Sequence, residues 1–571
     1  MDIKKTILWA IFAISALMLY DNWLLHEGRP SLLGAAAPGS STKATKPLET
    51  SPKGDLPPQA GAAVAPPSNA PASPPSNAPA SPPKEASLST ISVVAQNTAE
   101  KFILENDVLR LEISANGANV VNAKLLQEFN PDKTPVELLQ LNQSHQYIAR
   151  SGLIAGGNLE LPNHNSVFKL QTSGKDGAGR PFLVMATERN GVKLEKLFLL
   201  VPGSYVVEVG HSVTQTNANV GPIILYTELV RDGSEKQESE FYSTFTGPAV
   251  YTQKDKFQKL SFADIDKGKQ EIPKDVPAAS PAWIAMVQHY FASAWIPADK
   301  TVRDIYAGKI DKNLFRVGMQ VPLGTIATGA TVTEKARLFI GPQEESMLEG
   351  IAPGLELLKD YGYLTILAKP IFWLLEKIYG YVNNWGWAIV LLTVLIKFVF
   401  FPLSAASYKS MARMKEVQPR LTTMREQLKG DPQKLNAAMM EMYKKEKINP
   451  LGGCLPVVVQ IPVFIALYWV LLSSVEMRNA PWIWWIHDLS IPDPYYILPI
   501  IMAVSMFVQT KLNPKPPDPI QAKVMMYMPL IFSVMFFFFP SGLVLYWVVN
   551  NLLSIAQQWQ INKMFGKKQA A

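Results

Sequence analysis

Five long apolar runs between residues 385 and 561 constrain this chain more than anything else in it. They cover Trp385–Leu403, Cys454–Val475, Tyr495–Thr510, Val524–Phe539 and Leu543–Ile561. The last two are separated only by Pro540-Ser541-Gly542, a break that turns a stretch too long for one crossing into a hairpin. The Tyr495 and Val524 runs are near the short limit for a span, which tilt or local bilayer thinning accommodates. A sixth run, Ile7–Tyr20, follows Lys4 and Lys5 and continues less strictly to Leu25. It reads as a signal peptide or as an uncleaved anchor. The anchor is preferred because the small residues Ala35 and Ala37 lie well beyond the apolar stretch. The mean hydropathy of +0.07 conceals all this by averaging two unlike halves. The expected fold class is a polytopic α-helical membrane protein with six spans.

Charge orients those spans. Residues 404–449 carry ten Lys and Arg, the short 511–523 loop has Lys511, Lys515 and Lys523, and the tail has Lys563, Lys567 and Lys568. The 476–494 loop has only Arg478, with Trp482, Trp484, Trp485, Tyr495 and Tyr496 at its membrane edge. Positive-inside counting and an aromatic belt agree, so both termini and the basic loop are expected in the cytoplasm. Six spans satisfy that parity. The total charge of +7 is ordinary for 571 residues and does not suggest a DNA-binding protein.

Between the anchor and the apolar half lie two further regions. Residues 28–88 hold 14 of the 45 prolines and the octapeptide PPSNAPAS twice, at Pro66–Ser73 and Pro74–Ser81; such a composition makes a tether, not a core. From Ser89 short β-type runs follow, among them Lys101–Leu104, Val108–Ile113, Pro181–Thr187, Lys193–Leu200, Tyr205–Thr214 and Ala336–Ile340. Their alternation predicts one large antiparallel β-sandwich. Pro370–Val382 places Ile371, Leu374, Leu375, Ile378 and Val382 on one helical face and reads as an interfacial amphipathic helix, a plain globular helix being the alternative. The expected domains are an anchor (1–27), a tether (28–88), a β-domain (89–345), a helical connection (346–384), a span (385–403), a cytoplasmic helical hairpin (404–449) and the remaining spans (450–571).

The usual enzyme signatures are missing. One cysteine, Cys454, excludes an intrachain disulfide and a cysteine-based zinc or iron–sulfur site, and the six histidines form no H-E-x-x-H pair. Neither a phosphate-binding G-x-x-x-x-G-K-[ST] loop nor a G-x-S-x-G elbow occurs. No catalytic residue, cofactor or metal site is expected.

Lys397 carries the most information, because apolar residues flank it on both sides from Ile389 to Phe401. A charge at the centre of a span costs about 2.5–3.5 kcal/mol, which makes it a functional candidate. The other reading is snorkelling, since Leu403 is only six residues away, about 9 Å at helical rise. Both stand at this level. Thr393 shares its helix face one turn earlier, Gln460 lies in the next span, and Asn550, Asn551, Gln557 and Gln558 lie in the last. Together they line a water-filled cavity or simply hydrogen-bond between helices. In the hairpin, broken at Gly430-Asp431-Pro432, Met411, Met414 and Met424 step along one helix and Met439 and Met442 along the other. They form either an adaptable apolar surface or a pair of stripes that pack on each other. Pro419 predicts a kink in the first helix, unless the helix is divided there.

Asn449-Pro-Leu-Gly-Gly-Cys-Leu-Pro, Trp485-Ile-His-Asp-Leu-Ser, Asp493-Pro-Tyr-Tyr-Ile-Leu-Pro and Phe539-Pro-Ser-Gly-Leu-Val-Leu-Tyr resemble the YidC-type membrane protein insertase family. So does Trp283-Ile-Ala-Met-Val-Gln-His-Tyr-Phe in the β-region, so the resemblance spans nearly the whole chain outside the tether. The likeness is to the long Gram-negative form. It implies an inner-membrane insertase and chaperone with a periplasmic all-β supersandwich domain and a core of five spans around a hydrophilic groove. That groove is open to cytoplasm and lipid and closed outward. The family's groove cation falls on Lys397 where arginine is usual, so the bidentate fork is lost. The resemblance further implies Thr393, Gln460, Trp547 and Asn550 as groove residues and 404–449 as the hairpin that receives substrates. The implied partners are nascent membrane proteins, the Sec translocon and its accessory subunits, the ribosome and signal recognition pathway, and anionic lipid. The alternatives from other classes are an anion or small-solute transporter or channel, and a membrane-anchored periplasmic carbohydrate-binding or carbohydrate-active protein. Missing inverted repeats weaken the first, and the second, as an enzyme, needs paired carboxylates.

Overall fold

The computed structural model describes residues 99–156, 159–217, 220–234, 244–298, 302–428, 432–446, 455–512, 523, 526–527 and 533–567. The expected anchor, the tether, Cys454 and part of the Val524–Phe539 run (524–525 and 528–532) lie outside these residues. The described residues form two compact units, the first closing at Leu358 and the second opening at Lys359.

The first unit is built on two antiparallel sheets. One has eight strands, in the order β1 (Lys101–Glu105), β2 (Leu109–Ser114), β3 (Asn119–Phe129), β4 (Pro135–Leu141), β5 (Gln146–Ala155), β10 (Ile223–Asp232), β16 (Leu314–Gly324) and β15 (Asp304–Asp311). The other has nine: β12 (Lys256–Lys259), β11 (Gly247–Thr252), β13 (Ala282–Gln288), β14 (Phe291–Pro297), β17 (Thr331–Pro342), β9 (Val206–Gln215), β8 (Val192–Leu200), β7 (Pro181–Arg189) and β6 (Lys169–Lys175). The six runs expected from alternation all fall on strands. β8 shows why: Val192, Leu194, Phe198 and Leu200 are buried at every second position, as a half-buried strand requires. Central strands such as β5, β11 and β14 are buried on both faces and read as continuous runs. Two short helices, α1 (Phe262–Lys267) and α2 (Glu345–Ile351), complete the unit.

The second unit is helical: α3 (Thr365–Val382), α4 (Trp385–Val399), α5 (Phe401–Gln427), α6 (Pro432–Lys445), α7 (Leu455–Ser473), α8 (Ile497–Leu512) and α9 (Ser541–Lys567). Its core includes Phe372, Leu392, Leu467, Val470, Met502 and Val544. At Gly386 a Cβ would stand 2.2 Å from the Trp482 ring, so only glycine allows α4 to start this close to that loop.

Three features add to the sequence reading. The Ile371–Leu375–Ile378–Val382 stripe of α3 packs into the helical core, and the opposite face exposes Ile366, Trp373 and Tyr381. Core burial therefore takes the face expected at an interface. The 385–403 run does not continue straight to Leu403. It breaks at Phe400, because Pro402 in the first turn of α5 has no N–H to carry the ladder on, and the two helices meet at a 66° bend. Among the described residues no single helix is long and apolar enough to cross a membrane; this bent pair is, by length and composition. Finally, α5 runs through Pro419 as one helix, with the hydroxyls of Thr422 and Thr423 donating to the Pro419 carbonyl.

Candidate functional site

α4 carries Thr393 and Lys397 one turn apart, and both are buried. Lys397 is 6% exposed, and its Nζ donates to Ser554 Oγ of α9 at 2.8 Å. No carboxylate pairs with it among the described residues. Ser554 Oγ donates in turn to the Asn550 carbonyl at 2.8 Å, one turn back on α9. The Asn550 side chain is held from α7, where Gln460 Nε2 donates to Asn550 Oδ1 at 2.8 Å. Three helices thus contribute to one polar seam: α4 through Lys397, α9 through Asn550 and Ser554, and α7 through Gln460.

The other two groove candidates stand outside this chain. The Thr393 hydroxyl donates to the Ile389 carbonyl of its own helix at 2.7 Å, so that donor is not available to Lys397. Trp547 stacks on Phe464 with ring centroids 4.8 Å apart and meets Phe536 edge-on at 4.1 Å. Of the remaining amides, Asn551 donates to Ser505 Oγ at 3.3 Å and Gln558 to the Leu512 carbonyl at 3.4 Å, both toward α8. Ser554 escaped the sequence reading. Its signal was present but faint: it follows Asn550 by four residues, on the same helix face.

The hairpin of α5 and α6 brings Met414, Met439, Met442 and Tyr443 against Val417 and Leu421. Most of the methionine stripe thus packs on itself. Met411 and Met424 are half-buried and outside that cluster. Charges line the hairpin's outside, as in the exposed Arg420–Glu446 pair at 2.9 Å.

The β-unit holds a second set of buried polar groups. Glu228 accepts from Arg150 Nε at 2.5 Å and from the Tyr306 hydroxyl at 2.9 Å, with its side chain fully buried. Lys196 Nζ donates to the Gly117 and Ser151 carbonyls at 2.6 and 2.8 Å, and its cross-strand neighbour His211 contacts Ser151 Oγ through Nε2 at 2.9 Å. Burial pushes Lys196 down to about 7; burial and then the Lys196 charge push His211 down to about 3. Both groups are sealed inside the sandwich. Among the described residues no cluster of three or more His, Cys, Asp or Glu is arranged to hold a metal.

Comparison with known proteins covers both units. A family profile described as YidC periplasmic domain matches residues 102–374, and one described as 60Kd inner membrane protein matches residues 377–568. The chain is 67% identical over 579 aligned residues to a membrane protein insertase YidC of Polynucleobacter necessarius subsp. necessarius (strain STIR1), covering all of both chains. It is 58% identical to the protein of the same name in Cupriavidus necator, covering all of this chain and 99% of that one. A solved structure titled as an active YidC insertase with its first transmembrane domain resolved aligns over 82% of this chain and 96% of its own, at 16% identity and a TM-score of 0.36. A galactose mutarotase related enzyme from Lactobacillus acidophilus aligns over 42% of this chain and 97% of its own, at 11% identity and a TM-score of 0.30.

Proposed function

The chain belongs to the YidC family of membrane protein insertases, and on that premise we propose that it inserts, folds and helps assemble integral inner-membrane proteins through a hydrophilic groove around Lys397. The observation that carries the groove reading is a lysine buried among helices with no carboxylate partner among the described residues, held by a serine hydroxyl. A solitary buried cation is costly unless something polar meets it. An acidic residue on a passing substrate supplies that partner. Gln460 and Asn550 add polar lining beside it, and Thr393 and Trp547 belong to the same proposed wall.

The reading includes six spans, with both termini and residues 404–449 in the cytoplasm and the β-domain in the periplasm. The domain boundaries are those expected from the sequence. Met411, Met414, Met424, Met439 and Met442 belong to a hairpin that receives substrates, and its basic outside meets anionic lipid or the ribosome. The chain works alone or with the Sec translocon, drawing substrates from the ribosome and signal recognition pathway.

Insertion needs no nucleotide on energetic grounds. About 20 apolar residues entering lipid release roughly 6–12 kcal/mol, and carrying two acidic residues across the centre costs about 5–7 kcal/mol. The two nearly balance, so the protein's task is to lower a barrier. A wet groove shortens the dry distance. One carboxylate about 4 Å from the ammonium, at an effective dielectric near 20, gains roughly 4 kcal/mol before desolvation. An outside-positive potential then draws negative charge outward by about 2.3 kcal/mol per 100 mV.

The test is insertion of a short, acidic-tailed, single-span protein into liposomes containing only this chain, with nucleotide omitted and protease protection as readout. Protection above protein-free liposomes, lost in Lys397→Ala, is the expected result. Unchanged protection in the variant returns Lys397 to a structural role. No protection at all makes insertion depend on a partner and raises the transporter reading.

A further inference from the structure

We propose that Ser554 is a positioning residue for Lys397, holding one of the three ammonium donors so that the other two face an incoming carboxylate. This rests on the groove reading above and adds a residue to it. An arginine fork carries its own orientation, whereas a lysine ends in a point charge on a flexible four-carbon stem, and something else must aim it.

The geometry around Ser554 does this. Its hydroxyl proton is committed to the Asn550 carbonyl at 2.8 Å, which leaves the oxygen lone pairs to Lys397 Nζ, also at 2.8 Å, and to the Tyr408 hydroxyl of α5. The serine is 4% exposed, so water does not compete freely for that lone pair. Gln460 fixes the Asn550 side chain from α7, so α9 is braced where it carries the serine. Among the described residues no other group bonds the ammonium, and two of its donors are uncommitted. Thr393, the nearest hydroxyl on Lys397's own helix, is spent on the Ile389 carbonyl and does not share the task.

The experiment uses the full chain in nucleotide-free liposomes and two versions of one single-span substrate, one with an acidic tail and one with that tail changed to Asn and Gln. The readout is the ratio of acidic-tail to neutral-tail protection. Ser554→Ala is expected to lower that ratio about tenfold, the loss of one hydrogen bond to a charged group, by acting on the acidic tail far more than on the neutral one. Ser554→Thr, which keeps the hydroxyl, is expected to restore it. Equal ratios in Ser554→Ala and the parent overturn the proposal. So does a parallel fall of both substrates that threonine does not rescue, which is what a packing role alone produces. Lys397→Ala separates the two readings. If it collapses the ratio while Ser554→Ala does not, only the positioning role fails. If it leaves the ratio intact, the groove reading fails and takes this inference with it.

Discussion

Lys196 and His211 face each other across β8 and β9 at positions whose neighbours are Leu194, Phe198, Val209 and Val213, all in the core. Among the described residues neither has a carboxylate to balance it, so acidification works against both. His211 titrates near 3 in the folded chain against an ordinary 6.5, so the unfolded chain binds the extra proton between those values and stability falls as pH drops through that window. Lys196 does the same between its ordinary 10.5 and about 7. Each tenfold difference in proton affinity is worth about 1.4 kcal/mol. His211→Gln, which can still bond Ser151, should therefore flatten the acid limb and leave the alkaline one. Hydrogen exchange of β8 and β9 in the full chain, corrected for the intrinsic rate, measures both limbs. Glu228 presents the opposite case, a buried carboxylate fully served by Arg150 and Tyr306. Arg150→Met should cost about 3–5 kcal/mol, because it leaves that charge buried without its cation. Adding Glu228→Gln should return most of the loss, as read from urea unfolding midpoints.

At the scale of elements, the helical unit is tied together by polar contacts that interrupt apolar surfaces. Lys359, just before α3, donates to both carboxylate oxygens of Glu476 at 2.8 and 3.0 Å and lies 3.5 Å from the Phe372 ring centroid. Glu476 sits in the turn after α7, so this pair fixes the entry to α3 against the end of another helix. Lys359→Met should lower the stability of the helical unit by about 3 kcal/mol, and pairing it with Glu476→Gln should recover much of that. Thermal unfolding in detergent micelles is the check. The seam at Lys397 has the same character. Its lysine was legible in the sequence because a charge inside an apolar run is conspicuous. Ser554 was not, because a serine in an apolar helix usually bonds its own backbone, and this one does that as well. What makes it matter is a partner 157 positions away.

At the scale of the molecule, each unit has its own core, closed at Leu358 and opened at Lys359. If insertion resides in the helical unit, removing residues 89–358 should leave insertion of a short acidic-tailed protein at the parental level in the liposome assay. A carbohydrate-active protein merely anchored by those helices would lose everything. The relatives named as insertases match the chain along its full length.

The division into a β-unit and a helical unit, the strands themselves and the family motifs were all determined by local sequence. Alternation at two residues and periodicity near four are properties of neighbouring positions, and burial of one face imposes them wherever the segment finally packs. Tertiary structure alone decided the rest. It chose what the apolar stripe of α3 packs against, because periodicity marks the face to be covered and says nothing of what covers it. It chose self-packing for Met414, Met439 and Met442, since a methionine stripe suits a partner or its own hairpin equally. It also joined Lys397 to Ser554 and Asn550 to Gln460, while leaving Thr393 and Trp547 to other contacts. A polar residue in an apolar helix announces that it needs a partner, and only the packing of three helices determines which one it finds.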